Sequence, residues 1–288
     1  MPEGASRTAE IVCFFRAVET YREPQRRVLE DPFAEAFLDP MWRAAARSPL
    51  SRFAFSSPLT WALSSATLLQ GFVATRHREM DDRLASFLAA GDGQVVVLGA
   101  GYDTRAMRFA ERLGGRTIIE VDFPATQEKK RRLIAERLPG RAAHVAAYLP
   151  VDFLHDPLAE ALRRPPFREG VRTFFIWEGV AMYLTEEAVG RTLQTLAALG
   201  GPGSEIVCDL WARPRGRGLD ATARRLGADM LARIGEPLLF SLNPEDAPAF
   251  FAQHGWGTSD VADGQMLSRR WRRTVFPDNS VIHAVRAE

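Results

Sequence analysis

The sequence has only two cysteines and two lysines. The scarcity of cysteine excludes some kinds of site, and the scarcity of lysine concerns the amino-acid usage of the chain. Cys13 and Cys208 are too few for a disulfide framework or a four-cysteine metal site, and both lie in apolar surroundings typical of buried thiols. The five histidines show no metal-ligating spacing, so no metal site is predicted. Lys129 and Lys130 are the only lysines among 37 basic residues, an arginine excess more typical of a GC-rich genome than of a function.

The chain also lacks a surplus of charge and a long apolar run. A formal net charge of +1 over 288 residues shows no excess of positive charge of the kind that binds nucleic acid. The N-terminus has no apolar signal-peptide core. The uncharged stretch 53–75 contains a proline and seven serine or threonine residues, which favours a buried helix or lid over a membrane span. We therefore expect a cytoplasmic protein with neither a membrane nor a nucleic-acid partner.

The most informative stretch is residues 94–105, which read QVVVLGAGYDTR. Its first half predicts a short buried strand and its end predicts the start of a helix. Gly99 and Gly101 lie between them, and such a turn lets a ligand approach bare backbone N–H groups. Glu120 and Asp122 end the second apolar strand, where an acid is suited to bind two ribose hydroxyls. Asp122 precedes Pro124 and is also a candidate to cap the next helix. Half of a nucleoside-cofactor site is therefore predicted here.

The same turn distinguishes between two nucleoside cofactors. A dinucleotide fingerprint requires a third glycine three residues after the second, and Thr104 occupies that position. The neighbouring Asp103 would repel a pyrophosphate but would suit a sulfonium and an amino group. The sequence thus favours S-adenosylmethionine over NAD. The alternatives are an NAD-dependent oxidoreductase on a similar fold and a non-catalytic protein that binds S-adenosylmethionine.

Strands and helices alternate from residue 94 onward, which predicts an α/β fold with a parallel sheet covered on both faces. Residues 5–90 instead predict mostly helices. Strands are predicted near 94–98, 116–121, 145–151, 173–177 and 205–210, with helices near 104–112, 124–138, 156–163 and 186–199. The C-terminal part predicts helices near 219–233 and 244–254 and strands near 271–276 and 280–286.

Acidic residues follow all five predicted strands, where parallel sheets bind ligands. Together they predict a cationic ligand that contains adenosine. We expect Asp152 to accept from the adenine amino group, Phe153 to stack on the ring and Glu178 to face the methionine ammonium. Arg76 and Arg105 are candidate partners for a carboxylate. For Arg105, an ion pair on a helix surface is the preferred interpretation.

These motifs resemble those of the leucine carboxyl methyltransferase family, a branch of the class I S-adenosylmethionine-dependent methyltransferases. The resemblance covers most of the chain. It rests on LGAGYDTRAMR, EVDFPATQEKKRRL, VDF at 151–153, FFIWEGVAMYL and the N-terminal TAEIVCFFRAVET and DPFAEAFL. One departure is TRHREMDD, which lacks the usual Arg-Thr-Arg order because Thr75 precedes Arg76.

The resemblance implies a Rossmann-like class I methyltransferase fold: a central, mostly parallel seven-stranded sheet flanked by helices. It implies a helical lid over residues 1–90 and a cofactor domain over 91–288. Arg76 matches the arginine that holds the methionine carboxylate, and Tyr183 matches a tyrosine near the acceptor, so both are assigned as catalytic. The matching cofactor positions are Gly99, Asp122, Asp152, Phe153 and Glu178.

The expected reaction transfers a methyl group to an oxygen of a small, largely apolar molecule, such as a polyketide or another secondary metabolite of bacteria. The product of the cofactor is S-adenosylhomocysteine. A carboxylate acceptor is already ionised at neutral pH, whereas a phenol would benefit from a general base. His77 and Glu178 are the candidate bases, and neither has an orienting partner visible in the sequence, which favours a carboxylate. The oligomeric state is left open.

Aromatic residues in both halves of the chain are candidates to line an apolar acceptor pocket. They are Phe53, Phe55, Trp61, Phe72, Tyr183 and Trp211.

Overall fold

The computed structural model describes residues 7–55, 65–144, 146–153, 155–212 and 237–287. The helix predicted near 219–233 and the candidate pocket residue Trp61 lie outside these residues. Within them, no helix combines the length and the apolar character needed to cross a bilayer.

Seven strands form one sheet in the order β3-β2-β1-β4-β5-β7-β6. The first five strands pair in parallel, and β7 runs antiparallel to both β5 and β6. This confirms the predicted seven-stranded, mostly parallel sheet. The strands are β1 (Gln94–Leu98), β2 (Ile118–Asp122), β3 (Ala147–Pro150), β4 (Thr173–Trp177), β5 (Glu205–Leu210), β6 (Trp256–Asp263) and β7 (Ser280–Arg286).

Helices cover both faces of the sheet, as the alternation predicts. In chain order they are α1 (Arg7–Thr20), α2 (Pro40–Arg47), α3 (Pro49–Ala54), α4 (Ser65–Ala89), α5 (Arg105–Arg108), α6 (Ala110–Leu113), α7 (Pro124–Arg137), α8 (Leu158–Leu162), α9 (Glu186–Leu199), α10 (Ala247–Gln253) and α11 (Gly264–Trp271). Four 3-10 turns are Pro24–Arg26, Ala34–Phe37, Pro139–His144 and Ala181–Tyr183.

The strand predicted near 271–276 is wrong, because the sixth strand lies upstream at Trp256–Asp263 and a helix follows it. Asp263 caps that helix by accepting from the Met266 amide at 2.7 Å. The strand β6 forms an edge of the sheet, so its outer residues are polar and include a glycine. An edge strand of this composition lacks the apolar run that marks a buried strand.

The long helix α4 joins the N-terminal region to the sheet. Leu84 and Phe87, near its C-terminal end, pack in the same buried cluster as Val95 of β1. Val73, nearer its start, packs instead with Phe15 of α1. One helix therefore contributes side chains both to the core of the sheet and to the helical cover above it.

Candidate active site

A cavity of about 360 Å³ opens at the carboxyl ends of the parallel strands, within the size range of small-molecule sites. The turn after β1, the end of β2 and the residues after β4 and β5 form its floor. Helices α1 and α4 close it from the other side. Its polar lining includes Arg16, Arg76, His77, Asp103, Asp122, Glu178 and Tyr183, and its apolar lining includes Ile11, Val12, Phe15, Val73, Met182, Trp211 and Leu239.

The glycine turn after β1 shapes one wall of this cavity. Gly99 has a φ of +65°, and a Cβ atom there would lie 2.1 Å from Cγ2 of Val180. Both the backbone conformation and the close approach therefore require glycine. Gly101 also has a positive φ, and its amide donates to the carboxylate of Asp122. The turn is thus held against the end of β2 by a side chain that also lines the cavity.

Asp122 does not cap helix α7, which begins after Phe123 and has no side-chain cap. One of its carboxylate oxygens accepts from the Gly101 amide and the other accepts from the Phe123 amide at 2.6 Å. Burial raises the pKa of this carboxyl, and the two amide hydrogen bonds oppose that rise. No lysine or arginine pairs with Asp122 among the residues that the structure describes, so its remaining lone pairs face the cavity.

Glu178, directly after β4, accepts from three side chains on two helices, α4 and α5. The contacts are 2.9 Å from Nδ1 of His77, 3.1 Å from Nε of Arg76 and 2.9 Å from Nη2 of Arg105. Burial alone would raise the pKa of Glu178, but His77 and the two guanidinium groups hold that pKa well below its usual range. This carboxylate stays ionised and is unable to act as a base near neutral pH.

The expectation that Arg105 forms a surface ion pair is wrong. Its side chain is fully buried, with Nε 2.7 Å from Asp81 and Nη1 in contact with Asp103. The α5 helix starts directly after the glycine turn, so its first residue faces helix α4 rather than solvent. Asp103, His77 and Glu178 have the donor atoms of a metal site, but the guanidinium of Arg105 already donates to Asp103 and Glu178 and lies 3.1 Å from Nδ1 of His77.

Arg76 binds two carboxylates at the strand ends and retains one nitrogen toward the cavity. Its Nη1 is 2.8 Å from Oδ2 of Asp209, while its Nε donates to Glu178. A Cβ atom on Gly179 would lie 3.1 Å from Nη2, so this nitrogen sits directly over the glycine. No hydrogen bond within the described residues engages Nη2, which leaves a donor for a ligand carboxylate.

Arg16 of α1 also lines the cavity, although the sequence analysis did not single it out. Its side chain is 2% exposed, with Nη2 2.6 Å from the Tyr102 carbonyl and Nη1 3.0 Å from Asp31. Nε has no hydrogen-bond partner in the described parts of the chain. The available signal was an arginine within the apolar run CFFRAV, where a charge needs a buried partner.

The structure does not bring Glu120 to the cavity. This carboxylate is 1% exposed and lies 2.5 Å from Nζ of Lys130, beneath helix α7. Burial raises its pKa to about 7 despite the lysine. Of the two acids at the end of β2, only Asp122 faces the cavity.

Asp152 and Phe153 lie beside this cavity and not on its wall. Asp152 is 2.9 Å from Nδ1 of His155, and Phe153 packs against the buried face of the sheet. The preceding residue, Val151, donates its amide to the Asp122 carbonyl at 2.9 Å. The pair is therefore next to Asp122 along the edge of the sheet.

The aromatic candidates for an acceptor pocket lie in different parts of the structure. Tyr183 and Trp211 line the cavity. Phe72 is fully buried in the core, whereas Phe53 is 63% exposed. Phe55 lines a different cavity, between α3, α4 and the end of α11.

Comparison with known proteins identifies the family. The pattern of the family described as "Leucine carboxyl methyltransferase" matches residues 9–197. A protein of Saccharopolyspora erythraea named "Putative S-adenosyl-L-methionine-dependent methyltransferase" is 35% identical over 260 residues, which are 88% of this chain and 83% of that protein. A similarly named protein of Streptomyces avermitilis is 31% identical over 272 residues, or 93% and 87% of the two chains.

A solved structure supports the fold alone. It is an O-methyltransferase family protein from Burkholderia thailandensis, with a TM-score of 0.50 and 15% identity, covering 82% of this chain and 64% of that one. The family match sets aside the NAD-dependent alternative and confirms the resemblance seen in the motifs. The chain belongs to the leucine carboxyl methyltransferase family and is a methyltransferase whose cofactor is S-adenosylmethionine.

Proposed function

We propose that this protein transfers the methyl group of S-adenosylmethionine to a carboxylate oxygen of a small, largely apolar acid, such as a polyketide or another secondary metabolite. The observation that carries the proposal is the state of the titratable groups on the cavity wall. Glu178 and Asp103 are clamped by Arg105, and Asp122 accepts from two backbone amides. None of these three carboxylates is placed to remove a proton from an acceptor, which supports an acceptor oxygen that arrives already ionised.

His77 supports the same conclusion. Its Nε2 lies 2.8 Å from Nη2 of Arg108, a group that only donates, so this ring nitrogen accepts. The proton is then assigned to Nδ1, which donates to Glu178. Burial, reinforced by the charge of Arg105, lowers the pKa of the imidazole. A neutral histidine whose two ring nitrogens are both occupied is unsuited to be a general base.

The residues at the cavity fit a cationic nucleoside cofactor. Asp122, which has no ion-pair partner among the described residues, would accept from the ribose hydroxyls beside the glycine turn. Nη2 of Arg76 would bind the methionine carboxylate, and Glu178 would face the ammonium group. Asp152 and Phe153, next along the sheet edge, are assigned to the adenine.

When bound, the cofactor would supply a methyl group on a sulfonium: an acceptor oxygen would bond to the methyl carbon as the carbon–sulfur bond breaks, giving a methyl ester and S-adenosylhomocysteine. No proton is transferred in this reaction. The protein therefore contributes proximity and alignment, which for well-oriented reactants are together worth roughly 7–11 kcal/mol. Helices α1 and α4 line the cavity opposite the strand ends, where they would limit the access of water to bound reactants.

The rest of the wall indicates the character of the acceptor. Side chains from α1 and from the segments after β4 and β5 are apolar, and they include Ile11, Met182, Trp211 and Leu239. Tyr183 lies among them, where it would contact the acceptor. An acid with an apolar body and one carboxylate would match this lining.

Methyl-labelled S-adenosylmethionine tests the proposal with matched pairs of aryl carboxylic acids and the corresponding phenols. The expected product carries the label in a form that mild base releases as methanol, because methyl esters hydrolyse and methyl ethers do not. The Asp122→Ala variant, expected to lose cofactor binding, gives the background. Label found only in base-stable ethers or C-methyl products would refute the proposal.

A further inference from the structure

A second cavity, of about 450 Å³, lies on the opposite side of helix α4 from the active site. Thr67, Gln70 and Gly71 line it, and their spacing places them on one face of the helix. Leu69 and Val73 lie on another face and line the first cavity. The other walls are the segment after α1 and the end of α11. Nothing in the proposed methyl transfer uses this second cavity.

Arginines dominate its wall, and no carboxylate is among the described residues that line it. The six arginines are Arg22, Arg26, Arg27, Arg270, Arg272 and Arg273. Four glutamates outside the lining pair with five of them. Glu19 serves both Arg22 at 2.7 Å and Arg273 at 2.8 Å, and the other three each serve one arginine. Counted over the described residues, six guanidinium groups and four carboxylates leave an excess of two positive charges around this cavity.

The pKa of Arg22 shows the effect of the neighbouring positive charges. Burial lowers its pKa, and the nearby charges of Arg273 and Arg26 lower it further, although Glu19 opposes them. Like charges held together in this way are stabilised by an anion that desolvates along with them. The described residues therefore do not fully compensate the positive charge around this cavity.

Arg272 provides an independent observation. Its φ of 51° and ψ of 47° place it in the left-handed region at the C-cap of α11, where glycine is usual. It is the only non-glycine residue with a positive φ in the described part of the chain. Such a conformation costs about 1 kcal/mol or more, and strain of this kind is concentrated at ligand sites. No carboxylate pairs with Arg272 within the described residues.

We propose that the second cavity binds a phosphate group, either as a free anion or as the phosphate of an organic ester. A phosphate dianion matches the excess of two charges, and its oxygens suit the forked donors of several arginines. Phe55 and Trp271 on the wall give an ester an apolar surface to contact. This site is separate from the cofactor cavity and does not depend on which acceptor is methylated.

Calorimetry at low ionic strength and mildly alkaline pH tests this with two probes, inorganic phosphate and phenyl phosphate. We expect binding that weakens as salt is added. Tighter binding of phenyl phosphate would assign the site to an ester, and equal affinities would assign it to the free anion. The absence of measurable binding of either probe at millimolar concentration would overturn the proposal.

Two single variants near the C-terminal end of α11 distinguish a specific phosphate site from a general attraction of anions to a basic surface. Arg272→Ala removes a lining residue, and we expect it to weaken phosphate binding about tenfold, as for the loss of a charge-assisted hydrogen bond. Arg269→Ala removes the same charge from an exposed position off the wall and should leave the affinity unchanged. Equal effects of the two variants, or none from Arg272→Ala, would contradict the proposal. Unchanged affinity for S-adenosylhomocysteine shows that each variant is folded.

Discussion

Nε2 of His77 lies 2.8 Å from Nη2 of Arg108, whereas Nδ1 lies between Glu178 at 2.9 Å and Nη2 of Arg105 at 3.1 Å, so among the described residues only Nδ1 faces an acceptor. An arginine only donates, so Nε2 accepts and Nδ1 donates to Glu178. The imidazole thereby joins helix α5 to the residue after β4 across helix α4. We interpret His77 as a positioning residue for Glu178, with no share in proton transfer.

Replacement of His77 by asparagine tests that interpretation, because the side-chain amide retains a donor and an acceptor. We expect kcat to fall by less than about tenfold, whereas loss of a general base typically costs about 10²- to 10⁴-fold. Steady-state kinetics with a carboxylate acceptor would measure both kcat and KM. A fall of a hundredfold or more in kcat, recovered at higher pH, would show that His77 removes a proton.

Removal of the Arg105 charge should strongly destabilise the fold. Its guanidinium is fully buried and contacts Asp81, Asp103 and Glu178, so Arg105→Gln would leave three buried carboxylates with less compensation. Breaking a buried ion pair from one side costs roughly 3–5 kcal/mol. Urea denaturation would measure the free energy of unfolding.

The control for that experiment is Arg163→Gln. Arg163 pairs with Glu169 at 3.2 Å on the surface, with about half of each side chain exposed. We expect a change of at most about 1 kcal/mol, as for other exposed ion pairs. Equal destabilisation by the two variants would mean that the buried network contributes no more than a surface contact.

The buried carboxylates should make the free energy of unfolding depend on pH in the acidic range. The pKa values of Glu178 and Asp103 are lowered in the folded protein, so the unfolded chain binds protons first as the pH falls. Their stabilising contribution is complete above the ordinary pKa of about 4.5 for a glutamate and is lost progressively below it. Denaturation curves across this range would show the free energy of unfolding falling with pH. In Glu178→Gln the slope should be shallower, and an unchanged slope would contradict the assignment.

Gly99 should tolerate no side chain. In Gly99→Ala the new Cβ would meet Val180, and the φ of +65° would disfavour alanine even without that contact. We expect a loss of roughly 1–3 kcal/mol in the free energy of unfolding, with weaker binding of S-adenosylhomocysteine. The double variant Gly99→Ala/Val180→Ala should recover the steric part only.

Gly140→Ala is the matched control, because a Cβ atom at Gly140 would meet nothing within 4 Å and its φ is not in the left-handed region. Thermal denaturation and calorimetry of the two single variants would measure both effects. If Gly140→Ala destabilises the protein as much as Gly99→Ala, the turn after β1 has no special requirement for glycine.

Part of the fold could be predicted because the inner strands are continuous apolar runs. The predicted bounds of β1, β4 and β5 agree with the structure, since each strand is buried on both faces. The edge strand β6 gave no such signal, because its exposed positions carry serine, aspartate and glycine.

The site was predictable where local chain geometry dictates it. The glycine turn and the acids at strand ends are set by positions near one another in sequence, and Gly99, Asp122 and Glu178 do line the cavity. The roles of Arg16 and Arg105 were not predictable, because their partners come from distant segments. Whether an arginine is buried with three carboxylates or lies in solvent is decided by packing, which no local pattern encodes.

The scarcity of lysine gives the protein a chemical reporter. Nζ of Lys130 is sealed under α7 by Glu120, while Lys129 is partly exposed and pairs with Glu10 of α1, the helix that covers the active site. A reagent that acylates amines therefore has one accessible lysine in the sequence. Because the ion pair with Glu10 slows acylation of Lys129, the rate at that one residue, read by peptide mapping, would report how often α1 is released from α7.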